Sequence, residues 1–436
     1  MKLNVFRDNE IIGSLDILAS EPFFGFTYAQ QYLNSPKARP LSLSLPLVET
    51  RFSGINAQPF FEGLLPEGEA RDIIAKRLGI SSRSSVKLLR ALGRDCAGDI
   101  SIIEANEGET TAAGSIGEAD EGKYIHLSDG IYKLAKEPYE EVTRLQEASR
   151  LSLAGAQAKI ALYHDDELPI EEGWYIPSLG LPSTHIIKPG ILEAYYPHIT
   201  LNEFLCLHAA MLCGINTAEA EILFPSNPIL IIKRYDRLVN KKLGDGLSAV
   251  KRIHQEDGCQ ACGVKADMKY EHDGGPGFYQ IRGLLAKYAM RPIEDISMLV
   301  RWGIFNYLIG NCDAHSKNIS ILHNSNGTVS LAPTYDIIST AIYDGRFGTK
   351  LSREMAMRIG KHENLDKIDS NDFSEFAKSV GMRKRQVLTI AEEIIEKMPN
   401  AFETASVAAE AKGFSEATSI TSRIIRGCDK RSVNLC

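Results

Sequence analysis

Three side chains have the types and the spacing for phosphate and metal chemistry. Asp313 is followed five positions on by Asn318, and Asp336 stands after what reads as a β-hairpin. Oxygen ligands gathered in this way suit Mg2+, a hard cation that takes few protein groups and completes its shell with phosphate and water. The elements that must position them can be read from residues 304–339, I-F-N-Y-L-I-G-N-C-D-A-H-S-K-N-I-S-I-L-H-N-S-N-G-T-V-S-L-A-P-T-Y-D-I-I-S. Helical spacing of Ile296, Leu299, Val300, Gly303 and Tyr307 predicts a helix over 292–308, stopped at Gly310. A polar loop over 311–318 follows. Residues 319–322 and 328–331 read as short strands, with Asn326 and Gly327 in the turn between them. A hairpin returns the chain to where it started, so Asp313 and Asn318 should face Asp336.

Phosphoryl transfer between a nucleotide and a hydroxyl uses such a set. A loop aspartate accepts the hydroxyl proton, and an asparagine and a post-hairpin aspartate hold the metal. D-A-H-S-K-N (313–318) fits the D-x-x-x-x-N spacing, and Y-D-I (335–337) stands where kinases carry D-F-G. Taken singly, each residue also reads as an ordinary solvated side chain on a surface loop. Helix, spacing, hairpin and second aspartate together favour the site.

Upstream, S-L-A-G-A-Q-A-K (152–159) precedes a strand-like run over 160–163. A turn of small residues lets backbone N–H groups approach phosphate oxygens, although one glycine makes neither a G-x-G-x-x-G nor a Walker loop. T-H-I-I-K (184–188) reads as a buried strand ending in Lys188. That lysine either pairs with nucleotide phosphates or is a surface lysine at a strand end. Glu203, on a helix that begins near Leu201 and stops at Gly214, either orients Lys188 or is solvated. A hairpin over 219–232 runs into K-R-Y-D-R (233–237), where an interlobe hinge would fall.

The 436 residues, 44% of them apolar, suit a globular chain of two or three domains. The N-terminus M-K-L-N-V-F-R-D lacks an export signal's apolar core, and no apolar run is long enough for a bilayer, so a cytoplasmic chain without membrane contact is expected. Net charge of −7 gives no global nucleic-acid footprint. The basic clusters at 383–385 and around Arg423, Arg426, Lys430 and Arg431 read as solvated faces, with DNA contact as the alternative. Eight cysteines read as reduced thiols, and the single C-x-x-C at Cys259 and Cys262 lacks the second pair that zinc needs. Residues 1–105 read as an α+β module. Strands are expected at 3–6, 11–15 and 24–28, with a helical pattern over 59–78 that is broken at 65–68 and stopped by Gly79. Residues 107–122 read as a linker or surface loop.

These motifs together resemble the HipA family of serine/threonine kinases, toxins of bacterial toxin–antitoxin systems. The matches are L-L-P-E-G (64–68), G-R-D-C-A-G (93–98), S-L-A-G-A-Q-A-K, T-H-I-I-K, K-R-Y-D-R, H-Q-E-D (254–257), K-Y-E-H-D-G-G-P-G (269–277), D-A-H-S-K-N and Y-D-I-I-S (335–339), all in family order. The resemblance implies an α+β, two-lobed, protein-kinase-like fold with an extra N-terminal α+β subdomain and a mostly helical C-lobe. The expected division is 1–106 for the subdomain, 107–122 for the linker, 123–232 for the N-lobe and 233–436 for the C-lobe. It assigns Asp313 as catalytic base and Asn318 and Asp336 as Mg2+ ligands. Ala154, Gly155, Ala156, Gln157, Ala158 and Lys159 become the phosphate loop, and Lys188 the phosphate-contacting lysine. Lys233, Arg234 and Tyr235 line the adenine hinge. His315, Ser316, Lys317, Asn318, Tyr335 and Asp336 complete the ATP site.

Ser152 matches the loop serine whose autophosphorylation blocks ATP binding in the family. Two departures bear on the ATP pocket: Lys233 stands where some members carry an acid, and Pro189-Gly190 follows the strand lysine. Implied partners are a HipB-like helix-turn-helix antitoxin, operator DNA through that complex, and an aminoacyl-tRNA synthetase as substrate, glutamyl-tRNA synthetase being the reference case. Two other functions stay open: an antitoxin-bound corepressor with little catalysis, and a small-molecule or lipid kinase on a related scaffold.

Overall fold

The computed structural model describes residues 2–8, 10–17, 23–105, 123–149, 154–155, 157–178, 180–240, 246–343 and 351–435. The chain forms two compact units. The first comprises residues 1–188, 234–266 and 322–327, and the second 189–233, 267–321 and 328–436.

The first unit opens with an antiparallel sheet of strands β1 (Lys2–Arg7), β2 (Glu10–Ile17), β3 (Phe24–Tyr28) and β4 (Ile100–Glu104), in the order β3-β2-β1-β4. The three strands read at the N-terminus are therefore present, each within two residues at either end. One sheet face buries Leu3, Val5, Ile12 and Phe26 against Phe60 and Phe61 of helix α1 (Gly54–Glu62). Helices α2 (Gly68–Arg77) and α3 (Ser85–Leu92) follow. The sequence pattern places the start of the first helix at Pro59. The helix begins five residues earlier, after Ser53, and carries Pro59 inside it. Burial of Ala57, Phe60 and Phe61 outweighs the hydrogen bond that a proline cannot donate. The break at 65–68 and the stop at Gly79, whose φ is +63°, are as read.

Helix α4 (Pro138–Ser149) lies between the first and second strands of a second set in this unit. The strands of this set are β5 (Tyr124–His126), β6 (Ile160–His164), β7 (Trp174–Pro177) and β8 (His185–Pro189), antiparallel in the order β5-β7-β6-β8. All five residues of β6 are buried. That is why its sequence shows a continuous apolar run and no alternation.

The second unit is mostly helical. Helix α5 (Ile199–Leu212) is followed by the hairpin β9 (Ala220–Leu223) and β10 (Ile229–Lys233). Helices α6 (Phe278–Tyr288) and α7 (Pro292–Ile309) lead to the hairpin β11 (Ser320–His323) and β12 (Val329–Leu331), of which residues 322–327 count with the first unit. Helices α8 (Ser370–Ser379), α9 (Lys384–Glu410) and α10 (Ala417–Ser432) complete it. Phe305 of α7 stacks on Phe402 of α9, and Phe278 of α6 meets Phe376 of α8 edge-on at 4.9 Å. Arg431 differs from the solvated face expected of its basic cluster. It is 7% exposed, and its Nε donates to Leu308 O at 2.7 Å. A cation there satisfies a carbonyl left over at the negative end of α7 and fixes the helix that feeds the loop at 311–318.

Candidate active site

Helix α7 ends at Gly310, whose φ of +72° turns the chain out of the helix. Between 311 and 320 every residue is buried except Asp313, which is exposed. The loop is held from behind by amides. Asn306 donates to Trp302 O at 2.8 Å and accepts from Asn311 Nδ2 at 2.7 Å, and Asn311 Oδ1 accepts from the Asp313 backbone N–H at 3.1 Å. The Asp313 carbonyl then accepts from His315 N at 2.9 Å and Asn318 Nδ2 at 3.1 Å. With its amide nitrogen turned to that carbonyl, Oδ1 is the Asn318 atom that could hold a cation. Tyr270 Oη donates to Asp313 Oδ1 at 2.7 Å and so orients the exposed carboxylate.

The hairpin closes as read, with Ala332 N donating to Ser320 O at 2.9 Å. Tyr335 Oη donates to Lys317 O at 2.8 Å and lies 2.7 Å from Ser320 Oγ, joining the leaving strand to the loop. Asp336 has φ +53°, a left-handed conformation that aspartate tolerates better than most residues and that costs roughly 1–3 kcal/mol. It is held there by its neighbours. Ile337 is fully buried, Ser339 Oγ donates to Ile309 O at 2.6 Å, and Asn202 of α5 exchanges hydrogen bonds with the Ser339 backbone at 3.1 and 3.0 Å.

Ser316 donates to Lys269 O at 3.2 Å. His315 is buried, and burial together with Lys269 and Lys317 pulls it down to about 3 against the opposing pull of Asp336. The imidazole is therefore neutral at ordinary pH, and its buried Nδ1 has no hydrogen-bond partner among the described residues.

The phosphate-loop candidates belong to the first unit. Gly155 has φ +108°, and its carbonyl accepts from Glu67 N at 3.1 Å in a parallel bridge with Pro66. A Cβ on Gly155 would stand 2.6 Å from Lys159 Nζ, so no other residue fits without displacing that lysine. The Lys159 carbonyl accepts from Gln146 Nε2 at 2.9 Å. Ala154, Gln157 and Ala158 are half-buried beside them, while Ala156 and Ser152 lie outside the described residues. Lys188 is buried in β8.

Lys233 closes β10 in the second unit, its N–H donating to Glu219 O at 2.9 Å. Arg234 and Tyr235 begin the next segment of the first unit. Arg234 N donates to Thr184 O at 2.9 Å, and Tyr235 Oη donates to Gln255 Oε1. The Arg234 guanidinium is directed away from any hinge role. It is 4% exposed and pairs with Asp236 at 2.8 Å, inside a network in which Asp95 takes Arg237 at 3.0 Å and Arg252 at 2.9 Å. Any hinge role of Arg234 falls to its backbone.

Sequence reasoning missed Tyr270, Asn306, Asn311 and the grip of Pro66 and Glu67 on Gly155. The signal for two of these was motif rarity alone. K-Y-E-H-D-G-G-P-G and L-L-P-E-G have no general phosphotransfer reading, yet they supply Tyr270 and the Gly155 clasp.

A model of the HipA-like C-terminal domain matches residues 151–402, and one of the HipA N-terminal domain matches residues 3–103. The chain belongs to the HipA family. It is 36% identical over 415 residues to Y4mE, a putative kinase of Sinorhizobium fredii, covering 93% of this chain and 92% of that protein. It is 28% identical over 414 residues to the serine/threonine-protein kinase toxin HipA of Shewanella oneidensis, covering 92% and 88%. The HipA fold is seen in the HipA, HipB and operator DNA complex of Shewanella oneidensis. That structure matches with a TM-score of 0.79 at 24% identity, over 98% of this chain and 97% of that one. The α+β, kinase-like fold expected from the motifs is thus the fold observed, and the protein is a protein kinase of the HipA toxin family. Among the described residues no helix is long and apolar enough to cross a membrane.

Proposed function

We propose that this HipA-family chain transfers the γ-phosphoryl group of ATP to a serine or threonine hydroxyl of a protein, with Asp313 as the base. One observation carries the reading: in a loop where every other residue from 311 to 320 is buried, Asp313 alone is exposed, and Tyr270 orients it. A base must reach an incoming hydroxyl while its own geometry is fixed, and this arrangement meets both needs.

Asn318 Oδ1 and the Asp336 carboxylate are oxygen donors of the kind Mg2+ takes, and the neutral His315 beside them adds no repelling charge. When bound, Mg2+ with ATP supplies charge neutralisation at the transferred group. The chain's own residues do the rest. Gly155 and its neighbours 154–159 offer N–H groups, Lys159 and Lys188 offer ammonium groups to phosphate, and the backbone of 233–235 meets adenine. His315, Ser316, Lys317 and Tyr335 shape the loop around the nucleotide. In this reading residues 1–106 are the N-terminal subdomain, 123–232 carry the phosphate loop and 233–436 carry the catalytic loop.

The substrate class follows from the family resemblance: an aminoacyl-tRNA synthetase of the glutamyl-tRNA synthetase kind, in the cytoplasm, with translation as the process inhibited. A HipB-like antitoxin and operator DNA are the partners, as the complex of the Shewanella protein suggests. Ser152 is the self-inactivating site. A phosphoserine there brings about −1.5 to −2 charge to the loop that must receive ATP phosphates, which favours a loop that has left the site.

The test is incubation of the purified protein with γ-labelled ATP and Mg2+, alone and in cell lysate, followed by mass spectrometry. Label on a synthetase serine or threonine, and on Ser152, is expected. Label found only on lipids or small molecules would overturn the protein-kinase substrate reading. An unmodified Ser152 beside a labelled substrate would overturn the self-inactivation reading.

A further inference from the structure

A second donor set, of another kind, lies in the strands that follow the phosphate loop. His164 closes β6, Asp166 follows in the turn towards β7, and His185 opens β8. Leu162 pairs with His185 across the two strands, so His164 and His185 project from one face as diagonal neighbours. One ligating atom from each of His164, Asp166 and His185 lies within 4.8 Å of the other two. Both histidines are buried, and Asp166 is exposed.

The ring of His164 meets acceptors on both sides. Nδ1 lies 3.2 Å from Asp166 Oδ1, and Nε2 lies 3.2 Å from Pro169 O. A neutral imidazole has one N–H, so whichever nitrogen carries it, the other lone pair faces an acceptor, Asp166 Oδ1 or Pro169 O. A second proton on the ring relieves that conflict, and so does a cation standing between Nδ1 and Asp166 Oδ1. The separation fits this reading. It exceeds the roughly 2.7–2.9 Å of a charged N–H···O bond. It approaches the roughly 3.3 Å between two ligand atoms that each lie about 2.0–2.1 Å from one tetrahedral ion.

The surroundings fix the remaining parts. His185 Nδ1 is 2.9 Å from Thr184 Oγ1, which also accepts from His164 N at 2.8 Å, so one hydroxyl orients the His185 ring and ties it to β6. The Trp174 ring lies 4.5 Å from the His164 ring and 5.5 Å from the His185 ring and walls the pair off from water. Its own N–H donates to Ile170 O at 2.7 Å. Two imidazole nitrogens with one carboxylate oxygen form a set that suits Zn2+ and does not suit Mg2+.

We infer that His164, Asp166 and His185 form a binding site for a divalent transition cation of the Zn2+ type. The bound ion ties the β6–β7 turn to the start of β8, the strand that carries Lys188 three residues on. It uses none of the phosphotransfer residues, so the kinase reading can fail while this site stands.

The experiment uses the full chain, treated with chelator and returned to buffer with excess Mg2+, then titrated with Co2+ by visible absorption and with Zn2+ by calorimetry. One ion per chain is expected, with Zn2+ displacing Co2+. Zn2+ should raise the melting temperature of the wild type. Asp166→Ala removes an exposed ligand without opening the core. It should melt like the wild type in chelator, bind about tenfold or more weakly, and lose the Zn2+-dependent rise in melting temperature. His185→Gln should abolish the cobalt spectrum. Absence of stoichiometric binding by the wild type, or equal binding by wild type and Asp166→Ala, would overturn the site.

Discussion

Asp95 and Asp313 place the same carboxylate in opposite surroundings. Each lies in a motif on which the family resemblance rests, G-R-D-C-A-G and D-A-H-S-K-N. Asp95 is 1% exposed and accepts from Arg237, Arg252 and Ser183. Burial pushes its carboxyl up, but Arg237, Arg252 and Arg234 outweigh burial and hold it below the usual carboxylate range. A carboxylate so enclosed accepts no proton near neutral pH. What it does is join residues 93–99 to residues 183, 234–237 and 252 of the same unit, with Gly98 N donating to Asp236 at 2.9 Å. Asp313 is exposed at the tip of a buried loop and accepts from a tyrosine hydroxyl. The difference teaches that rarity of a motif does not separate architecture from chemistry, whereas exposure of its carboxylate does. A buried charge must be paired to exist, and a reacting one must be reachable.

The largest effect should come from Asp313→Asn. Loss of the base is expected to slow phosphoryl transfer by about 10²–10⁴. The unfolding free energy should stay within the roughly 0.5 kcal/mol usual for a surface change. Initial rates with labelled ATP and an equilibrium unfolding curve check both halves. Asp95→Ala should give the converse. Removing one partner leaves buried guanidinium groups uncompensated, at a cost of about 3–5 kcal/mol in unfolding free energy. An Asp95→Ala protein that kept its stability but lost transfer would erase the contrast between the two aspartates.

Much of the catalytic region was legible because its determinants are local. The helix over 292–308, its stop at Gly310, the two short strands and the Asn326-Gly327 turn depend on neighbours within a few positions, and each formed within two residues of the expected bounds. The Asp95 network was not legible, since its arginines lie more than 130 positions away and no periodicity links them. Tyr270 meets Asp313 across 43 positions, and Gly155 meets Glu67 through backbone atoms, whose pairing leaves no mark in the side chain of Glu67. Arg431 was misjudged for the same reason: a basic residue in a polar helix reads as solvated until the end of another helix is placed against it.

The two regions should also separate by pH. His315 is held at about 3 in the folded protein by burial, with Lys269 and Lys317 adding to it. The unfolded chain titrates it near 6.5. Between those values the unfolded state binds a proton that the folded state refuses, so stability falls as pH falls from about 6.5 towards 3. The aspartates Asp95 and Asp236 have depressed folded values, since their arginines outweigh burial. Their contribution is complete above about pH 4 and is lost only below it. His208 and His254, also lowered chiefly by burial, act in the same direction as His315, so the informative quantity is a difference. Between pH 7 and 5, His315→Gln should lose about 1–2 kcal/mol less stability than the wild type. Parallel pH profiles for the two proteins would show that the loop carries no such titration.

The smallest effect, and the sharpest probe of the exposed aspartate, is Tyr270→Phe. The substitution deletes one oxygen and keeps the ring, which packs edge-on against His315 at 5.5 Å and stacks on His272. Loop packing should therefore survive, while the 2.7 Å hydrogen bond to Asp313 Oδ1 is lost. A hydrogen bond contributes about 1 kcal/mol net, which corresponds to a rate loss of roughly threefold to tenfold. If Tyr270 acts by positioning the proposed base, the loss should appear in kcat with the KM for ATP unchanged. A raised KM with unchanged kcat would move Tyr270 from positioning the base to binding ATP. An unchanged kcat and KM would mean that the loop backbone, through Asn311 and Asn318, already orients Asp313 by itself.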